Sequence, residues 1–186
     1  MYKIVALIGE AGTGKDTIMQ RVLAAAPSLF NEIISCTTRP IREGEKEGVN
    51  YYYLTDEEFL DKARKGLMLE TTLFNNWYYG TSLDSLSETK TNIGVFNPDG
   101  IRILLNEHKD IDLKVFRIKC SDKTRMLRQL NREDNPNVDE IIRRYTTDKI
   151  DFENLNFNYI EVYNEDFSSL TEISKDIVSS LKPHHG

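Results

Sequence analysis

Short apolar runs alternate along this chain with longer segments whose apolar positions return every three to four residues. The first pattern predicts buried strands and the second amphipathic helices. Strands are expected at 2–8, 33–36, 51–54, 67–74, 77–79, 93–96, 113–120 and 159–163, and helices at 16–26, 55–66, 98–108, 123–133, 139–152 and 169–181. Punctuation supports several of these. Pro27 stops the first helix. Thr55, with Glu58 three residues on, writes a capping box, and Gly66 closes the same helix. Asn75-Asn76 reads as a turn between two strands. In the last helix Leu170, Ile173, Ile177 and Leu181 share one face, which is a core stripe.

This alternation predicts an α/β domain whose parallel sheet is covered by helices on both faces. Two stretches break the rhythm. Residues 35–82 look antiparallel and read as an inserted lobe. Residues 122–145, an arginine-rich pair of helices, read as a lid. The expected division is therefore one domain over 1–186, with a core of 1–34, 83–121 and 146–183, a lobe of 35–82 and a lid of 122–145.

Composition narrows the function. The 186 residues carry a net charge of −6, with 29% charged and 39% hydrophobic residues. Such a chain is globular, and it is not a nucleic-acid binder coated in Lys and Arg. An anionic ligand has to be met by a local basic cluster. Cys36 and Cys120 stand alone, without the spacing of a zinc or redox site, and read as small core fillers. No apolar run approaches membrane-spanning length, and the N-terminus lacks a signal-peptide pattern, so a reducing, cytoplasmic compartment is expected. His184 and His185 receive no role.

The first chemical signal is Gly9-Glu10-Ala11-Gly12-Thr13-Gly14-Lys15-Asp16-Thr17, set between the first strand and the first helix. That is the context of a phosphate-binding loop. Gly9, Gly12 and Gly14 let the backbone curl so that successive N–H groups, Thr13 among them, face one anion. The helix behind adds its positive end, Lys15 reaches the outer phosphates, and Thr17 offers a hydroxyl. The strict pattern places Ser or Thr directly after the lysine. Here Asp16 fills that slot and the hydroxyl follows at Thr17. Magnesium is then held by Thr17 or by Asp16, directly or through water, or else Asp16 simply complements the helix N-terminus.

The second signal lies in the lobe. Arg39 and Arg42 stand three apart on one loop, and two guanidinium forks can clamp a phosphate dianion. Tyr51 and Tyr79 offer hydroxyl donors. Glu70 offers two adjacent acceptors, which match the N1–H and exocyclic amine of guanine. Taken singly, the arginines read as a solvated loop, the tyrosines as packing and Glu70 as a surface carboxylate.

Together they resemble one family. The order Ser35-Cys36-Thr37-Thr38-Arg39-Pro40-Ile41-Arg42-Glu43-Gly44-Glu45, then Gly48-Val49-Asn50-Tyr51, Glu57-Glu58-Phe59, Gly66, Glu70 and Tyr78-Tyr79-Gly80-Thr81 resembles the guanylate kinases, and the likeness extends over nearly the whole chain. It implies a P-loop NTPase sheet with an inserted mixed α/β lobe for a nucleoside monophosphate and a helical lid. It implies transfer of a phosphoryl group from ATP, with Mg²⁺, to GMP and dGMP, by a monomer or homodimer without nucleic-acid or membrane partners. Arg39, Arg42, Tyr51 and Tyr79 would hold the GMP phosphate. Glu70, with Ser35 and Thr81, would read the base. Lys15 and its loop would hold ATP. Arg128, Arg132 and Arg144, the last with its neighbour Arg143, would close over the phosphates, Arg132 and Arg144 acting with Lys15 in catalysis. Asn164 would lie near adenine. Two stretches depart from the family pattern. Its Asp-X-Asp-X-Gln-Gly run is here Val95-Phe96-Asn97-Pro98-Asp99-Gly100, so Asn97 brings an uncharged acceptor to the base. Its lid Arg-Gly-Thr is Arg132-Glu133-Asp134. The alternatives are a related nucleoside or deoxynucleoside monophosphate kinase of altered base selectivity, motivated by Asn97, and a non-catalytic module that docks a phosphopeptide.

Overall fold

A computed structural model describes residues 1–42, 44–74, 76–132, 135–166 and 168–181. Glu43, Asn75, the pair Glu133-Asp134 and the two terminal histidines lie outside the described residues.

The first strand, β1 (Lys3–Ile8), is buried from Ile4 to Ile8. Val5 and Leu7 face one core, while Ile4, Ala6 and Ile8 face another. A continuous apolar run is what a strand buried on both faces requires. It lies at the centre of a five-stranded sheet with β2 (Phe30–Glu32), β7 (Thr91–Val95), β8 (Asp112–Lys119) and β9 (Ile160–Tyr163), in the order β2-β7-β1-β8-β9. Every pairing in it is parallel. Helices α1 (Lys15–Ala25) and α6 (Leu170–Ser179) pack Ile18, Met19, Val22, Leu170, Ile173 and Ile177 on one face. Helix α3 (Pro98–Glu107), with Phe152 at the end of α5 (Val138–Asp151), covers the other through Ile101 and Leu104.

A second sheet of four strands has the order β4-β3-β6-β5 and comprises β3 (Cys36–Thr37), β4 (Tyr52–Tyr53), β5 (Met68–Phe74) and β6 (Trp77–Ser82). Its β3–β6 and β5–β6 pairs are antiparallel, and β3–β4 is parallel. Helix α2 (Asp56–Arg64) packs against it through the buried Phe59, whose ring stacks on Tyr78. The connection into the next core strand includes a short 3₁₀ turn at Leu83–Ser85. Helix α4 (Asp122–Leu130) precedes α5. Among the described residues no helix is long and apolar enough to cross a membrane.

The single strand expected at 33–36 is in fact a crossing between the two sheets. Phe30–Glu32 joins the core sheet, Ile33 donates one last hydrogen bond to the Ile93 carbonyl (2.8 Å), and the chain re-enters β structure at Cys36 in the other sheet. Asn31 and Glu32 disguise the true strand. Asn31 is tolerated because its amide donates to Asn92 Oδ1 (2.8 Å) and the Ser85 carbonyl (2.9 Å). Of the two cysteines, Cys36 is buried, but Cys120 is only half-buried, with its sulfur against the Gly12 carbonyl and the Arg128 guanidinium.

Helix α2 opens with both halves of the capping box. Thr55 Oγ1 accepts from Glu58 N (3.2 Å), and Glu58 Oε2 accepts from Thr55 N (2.8 Å). Thr55→Ala leaves those first-turn groups to water. It is expected to lower Tm by about 2–4 °C in a chain of this size, as read by thermal unfolding.

Candidate active site

The sheet's central strand delivers the glycine loop. From Ile8 the chain turns through Gly9–Gly14 into α1, with Gly14 as the N-cap. Gly12 (φ +84°) and Gly14 (φ +90°) are left-handed, and neither has room for a side chain. A Cβ on Gly12 would stand 2.6 Å from the Arg125 carbonyl oxygen, and one on Gly14 2.5 Å from Asn164 Nδ2. Gly9, at the strand end, is equally crowded by the Ile118 carbonyl. Thr13 is fully buried and its hydroxyl donates to the Glu10 carbonyl (2.8 Å). Lys15 arches back over the loop and donates to the carbonyls of Gly9 (2.7 Å) and Glu10 (3.0 Å). Burial pushes its pKa below the usual lysine value. Asp16 and Thr17 follow in the first turn of α1 with exposed side chains.

Four side chains from later in the chain fasten this loop. Asn164 donates to the Thr13 carbonyl (2.8 Å). Arg128 reaches the Gly12 and Thr13 carbonyls (3.3 and 3.4 Å) and the Asn164 carbonyl (2.9 Å). Here, then, both residues hold the loop's carbonyl side. The other two, Arg125 and Asp148, are not evident from the sequence. Arg125 donates to the Ala11 carbonyl (3.0 Å) and to Asp148 Oδ2 (2.9 Å), and the same oxygen accepts the Ala11 N–H (2.7 Å). Burial raises the Asp148 pKa from the ordinary carboxylate value. Arg125 lies one helical turn before Arg128, a spacing that puts the two on the same face of α4. Asp148 carries no local signal at all.

The second sheet presents the other group of side chains. Its register sets Glu70 opposite Thr81, Thr72 and Thr37 opposite Tyr79, and Cys36 opposite Gly80. Alternation then puts Thr81, Tyr79, Glu70 and Thr72 on one face, and Ser35 shares the parity of Thr37. Glu70 is 7% exposed. Burial raises its carboxyl to about 7, with the polar groups of Thr81 acting in the opposite direction. The carboxylate extends to the first turn of α3, where a Cβ on Gly100 would lie 3.3 Å from Glu70 Oε2. Asn97 caps that helix. Its Oδ1 accepts from Gly100 N (2.7 Å) and its Nδ2 donates to Thr72 Oγ1 (2.9 Å), so both ends of the amide are engaged.

Arg39 is 5% exposed, with its guanidinium over the rings of Tyr51 (5.5 Å) and Tyr53 (5.8 Å). Its Nη2 meets both oxygens of Glu45 (2.8 and 3.0 Å). Burial opposes ionisation of Glu45, but Arg39, the Arg42 N–H and the Tyr53 hydroxyl outweigh it and hold the carboxyl at about 2. Tyr51 packs edge-on against Tyr79 at 6.0 Å. Its phenol is raised to about 12, by burial first and then by Asp16.

Helix α5 links the two groups. Near its start, Glu140 accepts from Arg143 (2.7 and 2.8 Å) and Arg144 (2.8 Å), and Arg42 Nη2 approaches to 4.0 Å. Two turns later Asp148 rests on Ala11 of the glycine loop. The structure thus gathers Arg42 with Arg144, Arg39 with Tyr51 and Tyr79, and Glu70 with Thr81 and Asn97. Arg132 is exposed just beyond α4.

Comparison with known proteins fits this arrangement. The family model described as guanylate kinase matches residues 1–181. A guanylate kinase of Prochlorococcus marinus (strain MIT 9312) is 43% identical over 89 residues, which are 48% of this chain and 48% of that protein. One from Chlorobium luteolum is 43% identical over 86 residues, 46% of this chain and 43% of that protein. The chain therefore aligns with about half the length of the curated relatives it matches. The crystal structure of guanylate kinase from Anaplasma phagocytophilum superposes with a TM-score of 0.72 over 98% of this chain and 88% of that one, at 19% identity, which speaks to the fold alone. Carried by a match over nearly its full length, the chain belongs to the guanylate kinase family.

Proposed function

We infer that this chain is an ATP-dependent nucleoside monophosphate kinase whose acceptors are GMP and dGMP. The observation that carries the reading is the reach of α5, which meets the arginine of the lobe at one end and the glycine loop at the other. Two anion cradles, one of main-chain N–H groups and one of guanidinium forks, then serve one cleft.

In this reading residues 35–82 bind the monophosphate, residues 122–145 form the lid, and the rest is the ATP-binding core. A phosphate oxygen of GMP attacks the γ-phosphorus of ATP. The bond to the β–γ bridging oxygen breaks, and GDP and ADP leave. No side chain forms a covalent bond, so catalysis is alignment and charge stabilisation. Lys15, Arg144 and Arg132 offset the charge on the moving phosphoryl group, Arg132 swinging in from solvent as the lid closes. Arg39 and Arg42 place the acceptor phosphate. Arg39 is already oriented by Glu45 and its tyrosine neighbours. Glu70 takes the two guanine donors, with Ser35 and Thr81 beside it. The exposed oxygens of Thr17 and Asp16 are the hard donors that magnesium prefers. Bound there with ATP, the ion would neutralise charge on the phosphates.

A second reading, altered base selectivity, draws on Asn97, whose amide is committed to the helix cap and to Thr72. A coupled assay of ADP release with GMP, dGMP, IMP, AMP and CMP tests both. GMP and dGMP are expected to exceed AMP and CMP by at least about a hundredfold in kcat/KM, because mismatched acceptors would leave Glu70 unpaired. Equal turnover of all five would remove the guanine assignment. No ADP release with any of them would favour the phosphopeptide-docking alternative.

A further inference from the structure

Glu140 is an anion set among three arginines, of which Arg42 and Arg144 are ones the proposed reaction needs for phosphates. It takes three hydrogen bonds from Arg143 and Arg144 on its own helix, and Arg42 approaches from the lobe. Arg143, and then Arg144, hold its carboxyl at about 2 against the effect of burial. Arg42 shows the complementary stress. Its pKa is lowered by burial and by the neighbouring charges of Arg144 and Arg39. An anion between guanidinium groups offsets their mutual repulsion, and a forked carboxylate and a phosphate are alternative occupants of the same donors. On the Arg143 side, Glu140 borders a shallow surface depression of about 360 Å³, lined also by Asn76 and Trp77.

We propose that Glu140 is a built-in stand-in for substrate phosphate. It holds the arginines of lobe and lid together when no nucleotide is bound, and it yields them when a phosphate arrives. The proposal rests on the kinase reading of the cleft. Glu140 is thus a positioning residue. It touches arginines and not the reacting atoms, and it sets how tightly an anion binds, because each incoming phosphate must displace it.

The test is isothermal titration calorimetry of the full chain with inorganic pyrophosphate. Glu140→Gln keeps the shape and removes the charge. Asp139→Asn is the control, since Asp139 is exposed one residue away in the same turn and loses the same charge. Glu140→Gln is expected to bind pyrophosphate about five- to tenfold more tightly than the parent, from the loss of one competing charge at close range. Asp139→Asn is expected to stay within about twofold of the parent, since exposed charges at that range are screened. Glu140→Asp, which withdraws the carboxylate by one methylene and keeps the helix charge, should shift affinity the same way by less, and it serves if the Gln variant does not fold. In turnover, Glu140→Gln should lower the KM for GMP without raising kcat, a split that a merely structural residue would not give. Unchanged or weaker pyrophosphate binding by both Glu140 variants overturns the proposal. So does an equal gain in Asp139→Asn. If the parent turns over GMP and only the variants fail to respond, the inference alone falls. If the parent does not turn over GMP, the kinase reading falls with it.

Discussion

Replacing Lys15 with Ala should lower kcat by about a hundred- to a thousandfold, the loss typical when one preorganised charge or donor is removed from a transition state. The ammonium is already poised, drawn over the loop by the Gly9 and Glu10 carbonyls. Its burial means that its charge acts in surroundings where water screens poorly. The fold should survive. The truncation frees two carbonyls at the mouth of the loop and leaves the fastenings through Asn164, Arg128 and Asp148 untouched. Steady-state turnover alongside thermal unfolding checks both halves. Near-normal kcat in a folded variant would take the glycine loop out of the reaction.

Glu70→Gln should weaken the use of GMP by about 2–3 kcal/mol in kcat/KM, roughly 30- to 150-fold, because the new amide turns a donor toward guanine donors inside a buried site. The KM for ATP should hold. This carboxyl also gives the reaction a pH signature. Burial raises it to about 7, so in the free protein it gains a proton as pH falls through neutrality. The protonated form places an O–H where guanine offers N–H, so in the proposed reaction only the ionised form would recognise the base. kcat/KM for GMP is therefore expected to be flat above about pH 7 and to drop towards tenfold per pH unit below it. Glu70→Gln should abolish that acid limb. A limb that persists in the variant would assign the titration to another group and remove Glu70 from base recognition.

The sequence disclosed those features whose physics is local. The glycine loop could be read because strand, glycines, lysine and helix follow one another within a dozen residues. The capping box at Thr55 and Glu58 is legible for the same reason. The parallel sheet with two covered faces followed from unbroken apolar runs, and the Anaplasma structure shares that fold. Features set by tertiary contact were hidden. Ile33 to Cys36 is one apolar run in sequence, yet it bridges two sheets, and no spacing rule marks where a chain changes partner. Asp148 meets Ala11 across 137 residues and Arg125 meets it across 114, in stretches that otherwise read as ordinary charged helix. Asn97 was visible as a departure from a pattern. Its engagement with Gly100 and Thr72 appears only once α3 and β5 are packed together.

The run Val138–Asp151 is one uninterrupted helix, and Glu140 and Asp148 lie about 12 Å apart along its axis at 1.5 Å per residue. That rod ties the carboxylate resting on the peptide of Ala11 to the guanidinium end. Were it to pivot as a unit in the proposed enzyme, each nucleotide would tune the other's affinity by see-saw, and equilibrium would require the two effects to be equal in size.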